Sequence, residues 1–268
     1  MKNYKIIDAH SHIFPHKIAE KATVNIGHFY DIPMTHIGAS EQLLESGVRI
    51  EVEKYLVCST ATRPAQVESI NTFICEECKK HDKFYGFATM HPDYEHIENE
   101  LDRVVEMGLH GIKLHPDFQL FDIDAEHAMR MYKAASDRKL PILFHTGDNR
   151  YNYSAPHRLR NIADKFPDLI CIGAHFGGYR LWDESMDTLL DCKNVLFDTS
   201  SSLMFIEPAY AVDMIHHFGV ERFMWGSDFP MWDHKDELGR FLALPLTEEE
   251  RERIFHGTFE EYFQCDIH

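Results

Sequence analysis

Two histidines stand at alternate positions of an apolar run near the start of the chain: residues 6–14 read IIDAHSHIF, which places His10 and His12 two apart. In an extended strand, residues i and i+2 share a face, so the two imidazoles stand side by side. Such a pair either lines a polar core or grips an ion between its nitrogens. Similar groups end later apolar runs: Lys113 and His115 in GIKLHP, His145 in PILFHTG, His175 in LICIGAHFGG and Asp228 in RFMWGSDFP. Alternation sets Lys113 and His115 opposite Ile112 and Leu114, His175 opposite Ile172 and Ala174, and Asp228 opposite Phe223 and Trp225. Any one of these is most simply a hydrogen-bonded core residue. Several inward polar groups at one end of their strands are different, because burying each unpaired costs roughly 2–7 kcal/mol. A divalent ion satisfies them together: imidazoles plus a carboxylate at about 2.0–2.2 Å form a zinc-type set that leaves room for water.

The elements that must position these groups repeat one pattern eight times, a short β-branched-rich run followed by a longer amphipathic stretch. Besides the runs already quoted, there are KYLVCST (54–60), FYGFATMHP (84–92) and NVLFDTS (194–200). In YEHIENELDRVVEMG, Ile97, Leu101, Val104, Val105 and Gly108 fall on one helical face. Pro208 opens a helix that Gly219 closes, and Thr247 with Glu250 has capping-box spacing. Eight strands alternating with helices, without a linker or a shift in composition, predict an α/β fold: a single (β/α)8 TIM barrel forming one domain over residues 1–268. A doubly wound open sheet competes, but no glycine-rich phosphate turn follows the first strand. The first crossover, residues 15–53, is long, and GHFYDIPMTHIG within it reads as a loop that partly covers the site.

Composition narrows the function. The chain has 268 residues, 44% hydrophobic, with 27 Lys and Arg against 44 Asp and Glu, a formal net charge of −17. That acidity argues against non-specific binding to nucleic acid or to an anionic membrane. It leaves room for a local cationic pocket. With 19 histidines, none counts without its context. No extended apolar leader opens the chain and no run approaches the ~20 residues of a membrane span. The cysteines, Cys58, Cys75, Cys78, Cys171, Cys192 and Cys265, are scattered; the pair Cys75–Cys78 sits in a helical pattern without the second pair of a zinc ribbon. Free thiols in a cytoplasmic protein are expected, with a small molecule as partner, no nucleic acid, no membrane, and a homo-oligomer compatible with the sequence.

DAHSHIF, GIKLHP, HTG, AHFGG, DTS and GSDFP occur in the order of the motifs of the amidohydrolase superfamily. The chain resembles its amidohydrolase family 2 branch, metal-dependent TIM-barrel hydrolases and decarboxylases, from Ile6 to the last helix. The resemblance implies that His10, His12 and His145 bind one metal, with Asp228 as a further ligand. It also implies that His175 sits beside the metal and polarises or protonates substrate. Gly257–Thr258 stands where relatives commonly show Asn. In binuclear relatives a strand-four lysine is carbamylated and bridges two metals; in the mononuclear branch the matching residue, Lys113, stays an amine near substrate, which is the preferred reading. The metal expected is Zn2+, with Mn2+ or Fe2+ as alternatives.

The expected chemistry is hydrolysis of a small, carboxylate-bearing amide, lactone or ester. The ion lowers the pKa of a neighbouring water toward ~7; Asp228 accepts the proton and passes it to the leaving group, and His175 stabilises the oxyanion. GDNRYNYSAPHRL brings Asp148, Arg150, Tyr151 and Tyr153 to the rim, and Arg63 follows strand two. A guanidinium at either place suits a substrate carboxylate, though a surface ion pair explains it equally well. With Lys113 and His115 these form the expected substrate-binding set. Trp232 either walls the pocket or packs a helix start. The alternative is a non-oxidative decarboxylase on the same metal, a lyase acting on a small or aromatic carboxylic acid. A non-catalytic, metal-stabilised binding barrel ranks below both, since structural zinc sites are closed and usually rich in Cys.

Overall fold

The computed structural model describes residues 4–263, so Cys265 lies outside the described residues. Within them, strands alternate with helices along the chain: β1 Ile6–His12, β2 Val52–Cys58, β3 Phe84–Gly86, β4 Ala88–Thr89, β5 Ile112–Leu114, β6 Ile142–Phe144, β7 Cys171–Gly173, β8 Val195–Asp198 and β9 Phe223–Met224. Each of the eight apolar runs contains a strand, and the third is split in two at Phe87. The Phe87 ring, fully buried, packs where Gly111 has no side chain; a Cβ there would meet it at 2.5 Å.

The chain divides into two compact units, one made of the part up to Val57 together with the part from Thr199 on, the other Cys58–Asp198. In the second unit, β4 to β8 form a parallel ladder in sequence order. Parallel neighbours need a crossover between them, supplied here by helices such as Ile97–Glu106, Met129–Asp137 and Pro156–Lys165. The strands are buried throughout, as expected for a parallel sheet covered on both faces. In the first unit β1 pairs with β2. On its other side β1 accepts the segment that continues β9, through Ala9 N to Trp225 O at 2.9 Å and His12 N to Phe229 O at 2.7 Å.

The helices follow the sequence with two differences. In Ile97–Glu106 the buried stripe is Ile97, Leu101 and Val104, while Val105 is 48% exposed; its position one residue on from Val104 turns it about 100° away from the core. In the first crossover, Gly27–Tyr30 belongs to the helix His16–Tyr30, which ends at Asp31 in the left-handed region, so only residues 31–39 form the loop. The Pro208–Phe218 helix and the Thr247–Glu250 capping box form as expected. Cys75 and Cys78 lie on the helix Val67–Lys80 as unbridged thiols, and burial pushes Cys78 up to about 12. No helix among the described residues is long and apolar enough to cross a membrane.

One buried amide ties strand to helix in the second unit. Asn71 accepts from Thr89 N at 2.7 Å and donates to Thr89 O at 3.1 Å and to Glu100 Oε1 at 2.7 Å. Glu100 is held in turn by Arg103. Asn71→Leu keeps the branched shape, with larger end groups, and removes all three bonds. Each buried polar group left unsatisfied costs about 1–3 kcal/mol, so the unfolding free energy should fall by about 3 kcal/mol. Urea titration reads this as a lower midpoint at constant slope; a loss under about 1 kcal/mol would mean that water replaces the amide.

Candidate metal centre

The ladder of the second unit sets its polar residues in a row. Leu114, Phe144, Gly173 and Phe197 are register partners across β5 to β8, and the next residues are His115, His145, Ala174 and Asp198. His145 N donates to Leu114 O at 2.9 Å, which carries the ladder one step past β6. His115 and His145 therefore share a face. Their rings stack at 4.0 Å and 5°, with Phe118 stacked on His115 at 3.7 Å. His145 Nδ1 lies 3.1 Å from His175 Nε2. Lys113, one residue before Leu114 in β5, is fully buried.

His175 arrives differently from the expectation. Simple alternation does not reach it, because β7 stops at Gly173 and the backbone turns left-handed at His175 (φ 61) and Phe176 (φ 57). Asp198 holds the turn: its Oδ1 accepts from His175 N at 3.0 Å and its carbonyl accepts from Phe176 N at 2.9 Å. Gly147 serves the same edge. A Cβ there would meet the Gly178 and Tyr179 backbone at 2.6 Å, so the HTG and FGG turns touch only because that side chain is missing.

Asp117 escaped the sequence reading. It is buried beside His145, with Oδ2 at 3.6 Å from His145 Nε2 and accepting from Ser154 Oγ at 2.9 Å. Its Oδ1 has no hydrogen-bond partner among the described residues, and burial pushes the carboxyl up to about 6. The signal was there, an acid two residues after His115 in HPDF, but it follows a proline beyond the strand. His115, Asp117 and His145 bring ligand-type atoms together. The parallel stacking of the two rings, however, keeps their in-plane lone pairs from meeting at one point.

The rim residues are placed less uniformly. Buried Asp148 takes Arg150 Nε at 2.9 Å and Nη2 at 2.6 Å, so these two pair with each other. Tyr151 is 44% exposed and stacks near Tyr153 at 6.2 Å. Arg63 is exposed at the start of the turn Pro64–Gln66, where its N–H donates to Gln66 Oε1 at 3.0 Å.

The first unit gathers three donors. His10 Nε2 and His12 Nε2 lie 3.1 Å apart, and Asp228 Oδ1 stands 3.6 Å from the first and 3.3 Å from the second. Asp228 is not reached by alternation either, since β9 ends at Met224 and the aspartate sits at φ 56; its N–H donates to His10 O at 2.8 Å. These spacings fit an ion. Ligands at about 2.1 Å from a common centre stand about 3.0 Å apart at a right angle and about 3.4 Å apart at the tetrahedral angle. His10 Nδ1 lies 3.2 Å from Ser200 Oγ, the outer contact that leaves Nε2 to face a metal.

Asp8, also missed, organises the three donors. The carboxylate is fully buried and accepts from His10 N at 3.1 Å and Ser227 N at 2.9 Å on Oδ1. On Oδ2 it accepts from Ser11 Oγ at 2.7 Å and Ser227 Oγ at 2.6 Å, and His234 Nε2 lies 3.0 Å away. The backbone of one metal-type ligand and that of the residue before another thus hang on one side chain.

This arrangement belongs with a known family. The model of the amidohydrolase family matches residues 7–262, and the chain belongs to that family. Solved structures give the fold, a TIM barrel. A protein described as a TIM-barrel protein from Bordetella bronchiseptica superposes with TM-score 0.78 at 16% identity, over 97% of this chain and 98% of that one. The 5-carboxyvanillate decarboxylase from Sphingomonas paucimobilis matches with TM-score 0.75 at 13% identity, over 97% and 99% of the two chains. A dihydroxybenzoic acid decarboxylase from Polaromonas, solved with bound manganese and 2-nitroresorcinol, matches with TM-score 0.75 at 14% identity, over 97% of each chain. No curated protein matches the sequence at a significant level.

Asp8→Asn tests the hub. The amide is isosteric but turns an NH2 toward donors that need an acceptor. Hydrogen bonds to a charged group are each worth about 1.5–3 kcal/mol, so stability should fall by at least about 3 kcal/mol in urea unfolding. An unchanged midpoint would show that the carboxylate charge is not what holds the turn.

Proposed function

We propose that the whole chain is one catalytic domain, a metal-dependent carboxy-lyase that removes CO2 from a small, hydroxylated aromatic acid. The observation that carries the metal is the donor triple of His10, His12 and Asp228, at spacings that fit one ion. The direction toward decarboxylation is supported by the solved relatives, decarboxylases of 5-carboxyvanillate and of dihydroxybenzoic acid at 97% or more coverage. This places the lyase above the hydrolase that the sequence favoured. Shared fold and ligand type fit both reactions, and the hydrolase becomes an outcome of the test.

His10, His12 and Asp228 would hold the ion, and the resemblance to the family adds His145 as a ligand. Zn2+ and Mn2+ both accept such a set; manganese has support from the relative that binds it. When bound, the ion supplies Lewis-acid polarisation of substrate oxygens. Breaking the C–CO2 bond leaves an electron pair on the ring carbon, which then takes one proton. Asp228 carries that proton, and His175, 3.1 Å from His145, supports the developing charge. Lys113, with its side chain inside β5, stays an amine that binds substrate, so a single metal suffices without a carbamylated bridge. His115, Asp148, Arg150, Tyr151 and Arg63 complete the proposed binding set. Asp148 and Arg150 act there as a mutually neutralised pair, which makes Arg150 a positioning group more than the anchor of an anion.

Product analysis in labelled water tests the reaction with hydroxybenzoates and their methoxy derivatives. The lyase releases CO2 and incorporates one solvent deuteron on carbon, with no solvent 18O in the organic product. Solvent 18O in an organic carboxylate or alcohol product would establish the hydrolase instead. His175→Ala should keep its metal content while kcat drops about 10²–10⁴-fold, the range for losing an acid–base group. Loss of metal from that variant would make His175 a ligand.

A further inference from the structure

Trp232, whose role the sequence left open, connects to the metal-type ligands through one hydroxyl. Its indole Nε1 donates to Ser201 Oγ at 2.8 Å. Ser201 Oγ in turn donates to Asp228 Oδ2 at 2.5 Å, within the short range of charge-assisted O–H···O⁻ bonds. The direction of this chain is fixed. An indole N–H can only donate, so Ser201 must use a lone pair toward Trp232 and send its single proton to the carboxylate. Oδ2 is thereby engaged, while Oδ1 is the oxygen 3.3 Å and 3.6 Å from the two imidazoles.

The serine is held for the task. Ser201 is buried and sits at φ 51, a left-handed conformation that non-glycine residues adopt only at a cost. Asp228 is left-handed too. Two turns in an unfavourable conformation place hydroxyl and carboxylate against each other. A core that only needed filling would not require either. Trp232 is itself fixed from outside, with the Arg240 guanidinium 5.7 Å from its ring centroid.

We propose that Ser201, polarised by Trp232, is a positioning residue that decides how Asp228 meets the metal. It occupies Oδ2 and so makes the aspartate a one-oxygen ligand through Oδ1. Without the hydroxyl, the carboxylate is free to turn and to offer both oxygens to the ion, which raises the coordination number and changes affinity. The proposal rests on the metal centre proposed above.

The left-handed backbone supplies clean variants. Glycine and asparagine both tolerate φ 51, so Ser201→Gly removes the hydroxyl without new strain, and Ser201→Asn restores an N–H donor. The probe is Co2+ added to the metal-free protein, read by its visible d–d absorption and by titration. Absorptivity falls as coordination rises from four to five or six ligands. In Ser201→Gly the absorption should weaken and shift, with Co2+ affinity changed about tenfold, the lower end of outer-contact effects. Ser201→Asn should return the spectrum toward that of the parent. Trp232→Phe, which frees the hydroxyl to rotate, should move it in the same direction as Ser201→Gly, by less. A Ser201→Gly spectrum and affinity equal to the parent's, with Co2+ bound in both, would overturn the role of Ser201. A parent that binds no Co2+ would instead overturn the metal centre itself. Should a variant fail to fold by circular dichroism, Trp232→Phe carries the test alone: an unchanged spectrum there rejects the relay.

Discussion

The donor triple depends on one buried carboxylate. Asp8 holds the N–H groups of His10 and Ser227 with one oxygen and three side chains with the other. The first strand and the turn that carries Asp228 are therefore fastened at the same atoms. His234 extends the connection, since its Nδ1 lies 2.8 Å from Ser46 Oγ, so the helices Ser40–Val48 and His234–Leu242 are tied to the same point. A fully buried carboxylate is tolerable only when its lone pairs are filled. Here filling them is what aligns a strand, a turn and two helices. Metal ligands must converge within tenths of an ångström, and a network of short bonds to rigid elements achieves this better than side-chain packing alone.

Left-handed backbone recurs at turns that carry or hold ligand-type side chains. His175, Ser201 and Asp228 adopt left-handed backbone without being glycine. Such residues cost about 1–3 kcal/mol each and persist only where their surroundings over-determine them. Each has its restraint: Asp198 for His175, and the His10 carbonyl for Asp228. Ser201 is restrained by the two bonds of its own hydroxyl. The strands deliver the chain to the right place, and the strained turns then aim the side chain. This division of labour is general where parallel strands end in functional loops.

That division also explains what the sequence could tell. Strand order, helix order and the family motifs were legible because they rest on local periodicity and on residue types that recur at strand ends. His10 and His12 were legible for a second reason, as they lie within β1, where the two-residue period applies directly. His175 and Asp228 were named for an incomplete reason. Alternation was extended past the last hydrogen-bonded residue, whereas the left-handed turns that orient them depend on Asp198 and on His10, both far away in sequence. Asp8, Asp117 and Ser201 were missed altogether. Their types are unremarkable alone, and only tertiary contacts bring Ser227, His145 or Trp232 against them. Val105 failed in the opposite way, because an apolar type was taken for a buried one.

The charge of the chain bears on the proposed substrate. A protein at −17 repels an anionic acid at long range, although at physiological salt such repulsion fades beyond about 8 Å. Recognition must therefore be short-range and built from a few cations. Arg150 is a poor candidate for that work, since Asp148 already takes its guanidinium through two bonds, and Arg63 stands exposed at a turn. On the proposed reading, attraction falls to the metal ion and to Lys113 inside β5. This makes carboxylate binding and carboxylate chemistry coincide at the ion. A decarboxylase needs that coincidence. A hydrolase acting on a second, scissile group would need an anchor for its carboxylate elsewhere, and Arg150, one of the two guanidinium groups the sequence offered for that role, is already shared with Asp148.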